Sequence, residues 1–91
     1  MDQDARKAMF DNADKFIDLA NEMSKAESIG AIGVAIRYAA ARYSAFEASM
    51  QTKNLAEDKD KHLQFFANTF SEMLQENFEE YIKLQAKNKT S

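Results

Sequence analysis

The amino-acid sequence predicts an all-α fold, a three-helix bundle with a long third helix. Three observations carry that expectation. Proline is absent, and the two glycines, Gly30 and Gly33, sit close together, so little interrupts a helix elsewhere. Apolar residues recur at steps of four and three in three long stretches, the spacing of one helix face. No segment alternates apolar and polar residues with the β-branched content that a strand needs.

The first stretch runs from about Asp4 to Ser24. Met9, Ala13, Phe16, Ala20 and Met23 line one face, and Phe10 and Ile17 widen it. Asp11, Asp14, Asp18 and Glu22 lie on the opposite, wet side. Asp2 and Asp4 suit the positive pole of the helix dipole, and Asp4 is the expected cap. Lys25–Gly30 reads as a joint turned at Gly30, with Ile29 folding back onto the core.

The second stretch, from about Ala31 to Gln51, carries two rows. Ile32, Ile36, Ala39, Tyr43, Phe46 and Met50 form one; Ala31, Ala35, Tyr38, Arg42, Ala45 and Ser49 form the other, rotated by about 100°. A helix that is apolar or small over two such rows is expected to be covered on two sides, so this is the expected central helix. Arg37, Ser44 and Glu47 fall on its narrow polar side.

A second joint at Thr52–Asn54 leads into the third stretch, from about Leu55 to Ala86. Asn54 followed by Glu57 is a loose form of the cap-plus-N3 pattern. Leu63, Phe66, Phe70, Met73, Asn77 and Tyr81 form one row, and Ala67, Leu74, Phe78 and Ile82 its neighbour. Lys83, Lys87 and Lys89 oppose the negative pole of the dipole, and Asn88–Ser91 are expected to fray. A helix of about 45 Å outruns neighbours of roughly 31 Å. The overhang holds Phe78, Tyr81, Ile82 and Leu84, which need cover. Either the helix breaks near Gln75–Asn77, or a second subunit covers it; a homodimer is the expectation.

With 91 residues the chain is expected to form one domain, over residues 1–91, with a small core. Cysteine is absent, which removes disulfides, thiolate metal sites and thiol nucleophiles together. The net charge of −3 disfavours nucleic acid and anionic lipid as partners. Charge is uneven: residues 31–56 carry three bases and one acid, between two segments with seven acids each. No apolar run approaches the ~20 residues that span a bilayer. Met1-Asp2-Gln3-Asp4 lacks the features of a signal peptide, so the expected location is cytoplasmic.

No cofactor and no catalytic residue is expected. A carboxylate-bridged di-iron site needs paired Glu-x-x-His motifs, but His62 is the one histidine and Lys59 stands three residues before it. His62 falls on a polar face and is expected to be solvated. The acidic rows of the first and third stretches lack the Gly turn of a calcium loop and read as solvated faces. Ser44 and Ser49 have no histidine partner, and Gly30-Ala31-Ile32-Gly33 lacks the Lys-Ser/Thr sequel of a phosphate loop. The five methionines read as gap-filling packing. A helix-turn-helix role is disfavoured because the net-positive helix is also the most apolar.

Arg42 stands out in a row of small and apolar residues. It is expected as a half-buried guanidinium paired with Asp14 or Asp18, or with Glu72 or Glu76. The alternative makes it a ligand-binding arginine, with Tyr38 and Asn21 lining a cleft between helices. Phe65 sits in the row His62, Phe65, Thr69, Glu72 and Glu76, which otherwise faces water. It is either a lone exposed aromatic or, with Phe78, Tyr81 and Ile82, an anchor for an unknown protein partner or a second copy.

Three segments also carry a family likeness. Phe16-Ile17-Asp18-Leu19-Ala20-Asn21, then Tyr38-Ala39-Ala40-Ala41-Arg42-Tyr43-Ser44-Ala45-Phe46, then Met73-Leu74-Gln75-Glu76-Asn77 with Tyr81-Ile82, resemble a group of short proteobacterial proteins classed as a domain of unknown function. The likeness spans residues 10–82. It implies a bacterial, cytoplasmic helical protein and directs attention to Arg42, Asn21 and Asn77; its motifs are packing patterns and imply no reaction. The expected function is therefore a non-enzymatic, self-associating interaction module. The alternative is a small-molecule or anion binder around Arg42.

Overall fold

The structure, a computed structural model, describes residues 1–90, Thr90 by its backbone alone. Three helices account for nearly all of it: α1 (Gln3–Met23), α2 (Ile29–Gln51) and α3 (Leu55–Thr90). Among the described residues there is no strand. The chain divides into two compact units, Met1–Tyr43 and Ser44–Ser91. The first holds α1 and most of α2; the second holds the last turns of α2 and all of α3.

Each helix starts on a side-chain cap. Asp2, not Asp4, caps α1: its Oδ1 accepts the Ala5 N–H at 2.7 Å. Asp4 lies instead in the first turn, where its charge still meets the positive pole. The expected turn at Gly30 is also corrected. Ser28 opens α2, its Oγ accepting from the Ala31 N–H at 3.1 Å and its carbonyl from the Ile32 N–H. A serine in that place satisfies orphan donors of the first turn, so the helix begins before the glycine. Gly30 has no positive φ and lies inside the helix.

Asn54 caps α3 as the sequence indicates, with its Oδ1 accepting from the Glu57 N–H at 3.4 Å. The reciprocal half of the pattern is supplied by Thr52. Its hydroxyl donates to Asp58 Oδ2 at 2.6 Å and accepts from the Asn54 N–H at 3.1 Å. The joint is thus fixed by one hydroxyl working in both directions.

α3 runs unbroken for 36 residues, about 54 Å, through Gln75–Asn77. A break there is excluded. The helix persists to Thr90, past the expected fraying from Asn88; Ser91 lies outside the described residues. Its surface pairs are local: Lys83 with Glu80 at 3.6 Å, and, on α1, Lys7 with Asp11 at 2.8 Å. Exposed pairs of this kind contribute a few tenths of a kcal/mol each.

Burial departs most from expectation. Only Ile32, 6% exposed, and Ala48, 2% exposed, are buried among the described hydrophobic residues. In the first unit Met9, Ala20, Met23 and Gly33 are half-buried, but Phe16 of the same α1 row is 71% exposed. In the second unit the covered residues at the end of α2 and in the joint after it are Ser44, Ala48 and Thr52, a row of small side chains at steps of four. α3 covers Leu55, Asp58, His62, Phe66 and Thr69, at steps of three and four. Consecutive helices joined by a short turn approach most closely where side chains are small, which is why this modest row is covered.

The expectation that α2 is sheltered on two sides is therefore wrong. Ile36, Tyr43, Phe46 and Met50 are all exposed, and so are Tyr38, Arg42, Ala45 and Ser49 of the second row. Spacing identified the faces that are apolar; the described chain does not cover them.

Candidate functional site

The residues expected to bind a ligand lie at the surface. Tyr38 and Arg42 stand one helical turn apart on α2, both exposed, and Asn21 is exposed on α1. The half-buried guanidinium is corrected: Arg42 faces solvent, so it needs no compensating carboxylate to offset desolvation. It makes no side-chain hydrogen bond or ion pair with Asp14 or Asp18. The side chains of Asn21, Tyr38 and Arg42 are likewise not joined to one another by hydrogen bonds among the described residues. The Asn21 carbonyl accepts from Ser24 Oγ at 2.6 Å, closing the end of α1.

His62 is corrected as well. It is half-buried, and its ring stacks on Phe66 one turn later, with centroids 6.5 Å apart and planes 25° from parallel. Phe66 in turn meets the edge of Phe65 at 5.5 Å. The row read as wet thus hides its first and third members, His62 and Thr69, and exposes Phe65. Thr69 bends its hydroxyl back to the Phe65 carbonyl, which lets a polar side chain sit on a covered face.

No three His, Asp or Glu side chains among the described residues gather as metal ligands would. No described helix is long and apolar enough to cross a membrane. What the structure does present is apolar surface on helix faces. At 100° per residue, Phe78, Tyr81 and Ile82 share one side of α3, and all three are exposed. Phe65 is exposed on the opposite side, among Glu72, Glu76 and Glu79, so the four expected contact residues do not form one patch.

The large side chains that sequence reasoning did not mark as surface include Phe70, Met73 and Leu74, each exposed on α3. Their signal was present in the four-three spacing, which assigned them to a core. Asn77 lies beside them, its amide donating to the Met73 carbonyl at 2.8 Å.

No curated protein and no solved structure matches the chain. A family model does match, over residues 9–82, a span close to that of the likeness in the helix-packing segments. The chain belongs to the family described as Protein of unknown function (DUF3144).

Proposed function

We propose that this protein is a non-enzymatic helical module that works by self-association, with apolar helix faces covered by a further copy of the chain. The observation that carries this is the exposure of large apolar side chains on every helix. Phe16 and Leu19 on α1, Phe46 and Met50 on α2, and Phe70 and Phe78 on α3 all present more than half their surface. Isolated exposed leucines are ordinary, but rows of them along whole helices mark surfaces that bind protein. A chain of 91 residues without disulfides gains much of its stability by such association.

Light scattering of the full chain over a wide concentration range tests the proposal. A dimer or higher species is expected. A 10.4 kDa monomer persisting to the highest concentration would end it.

A further inference from the structure

We infer that the self-association surface is a heptad seam on α3, running from Leu63 to Leu84, which pairs in parallel and in register with the same seam of a second copy. The inference rests on the proposal above and names its interface.

Leu63, Ala67, Phe70, Leu74, Asn77, Tyr81 and Leu84 follow one another at steps of four, three, four, three, four and three. That alternation is the a/d pattern of helices that wrap around each other. Every large apolar member is exposed, from 41% at Leu74 to 65% at Tyr81. The face that α3 does cover, from Leu55 to Thr69, is centred about 95° round the helix from the seam. The hairpin contact and the seam are therefore different faces of one helix, and the first leaves the second open.

Charge is arranged to suit a second copy. Lys61, Glu72, Glu76, Glu79 and Lys83 all fall on the side of α3 opposite the seam. Two copies in parallel would keep those like charges apart, so the net negative charge of the chain does not oppose this contact. The area reaches the low end of specific interfaces. Large side chains offer on the order of 200 Å² when fully exposed, so Leu63, Phe70, Leu74, Tyr81 and Leu84, each roughly half exposed, supply on the order of 500 Å². With the smaller residues beside them this approaches the roughly 800 Å² per partner of a stable complex.

Asn77 sets the direction. One amide hydrogen goes to the Met73 carbonyl, which leaves its Oδ1 and second N–H to be satisfied when the seam is covered. In parallel register Asn77 meets Asn77 of the second copy, and each amide serves the other. An antiparallel pairing that keeps the whole seam in contact places Asn77 against Phe70, which offers no side-chain hydrogen-bond partner. A lone asparagine at an a position specifies register in paired helices, and the same requirement for a polar partner applies to Asn77 at its d position.

The test uses the full chain, which has no cysteine of its own. Leu74→Glu is expected to raise the dimer dissociation constant by at least about 100-fold, since it puts a charge in the seam. Glu79→Lys, on the opposite side, should leave it within about threefold. Under oxidation Asn77→Cys should give a disulfide-linked dimer, and Glu79→Cys should not. If the parent is a monomer, both the proposed function and the seam fall. If the parent is a dimer that Leu74→Glu leaves intact, the seam alone falls. Cross-linking at position 79 and not at 77 overturns it too, and decides the matter if Leu74→Glu proves unfolded by circular dichroism.

Discussion

Replacing Gly30 by alanine distinguishes a helix start at Ser28 from a turn at the glycine. In the structure Gly30 is the second residue of α2, without positive φ, and a Cβ built on it meets nothing within 4 Å. Alanine at a helical position lowers the entropy of the unfolded chain and strains nothing here, so the gain is about 0.4–1 kcal/mol. For a chain of this size that raises the melting temperature by roughly 2–6 °C. Gly33→Ala is the internal comparison. There the new Cβ would come within 3.2 Å of Arg37 Nη1, the far end of a flexible side chain that must shift. Its gain should be smaller than that of Gly30→Ala. Thermal melts at one fixed protein concentration measure both, because association makes melting temperature depend on concentration. A turn at Gly30 would need a left-handed glycine, and alanine there costs about 1–2 kcal/mol. A drop in melting temperature for Gly30→Ala therefore refutes the placement of α2.

Asp2→Ala removes the acceptor for the Ala5 N–H and should cost about 1 kcal/mol, read as a lower denaturant midpoint, whereas Asp4→Ala should cost less than half of that. Thr52→Val breaks the 2.6 Å bond to the half-buried Asp58 together with the one from the Asn54 N–H, and should lower stability by about 1–2 kcal/mol. Asn54→Ala should cost less, because its side-chain bond is stretched to 3.4 Å. Arg42→Ala and Arg42→Leu should both melt like the parent, within about 0.5 kcal/mol, as expected for an exposed side chain; a loss of several kcal/mol would restore the buried ion pair.

Helix number, order and approximate bounds were legible because they depend on local chemistry, although α3 runs four residues past its expected end at Ala86. α1 lies one residue from its expected bounds, and α3 begins at Leu55 as expected. α2 starts two residues early because Ser28 competes with Gly30 for the helix start and wins by supplying a hydrogen-bond acceptor. Burial was not legible, and the reason is physical. Periodicity ranks faces by how much they gain from leaving water, and it picked Ile36, Tyr43 and Phe46 on α2. What the hairpin covers is decided by how closely two helices can approach across a short turn. Ser44, Ala48 and Thr52 permit that approach; the larger rows do not offer it. His62 was misread for the same reason, since its ring gains a stacking surface in Phe66 that its polarity does not announce.

The division between covered and open faces carries the functional argument. A hairpin whose covered large apolar side chains are Leu55 and Phe66, each only half-buried, gains modestly from the hydrophobic effect, because the small and polar groups beside them remove little apolar area from water. Directional contacts set the joint and the start of α3: the hydroxyl of Thr52 on Asp58, the cap of Asn54 and, within the helix, the ring stack of His62 on Phe66. Such contacts specify geometry more than they add stability. The larger apolar area remains on Phe70, Leu74, Tyr81 and their neighbours, where it is available to a second copy. A chain built this way leaves large apolar side chains open on its long helix, the surface that the proposed second copy would cover. Under the proposed pairing, folding and association become two parts of one equilibrium, and substitutions in the seam should act on the assembled state before they act on the hairpin.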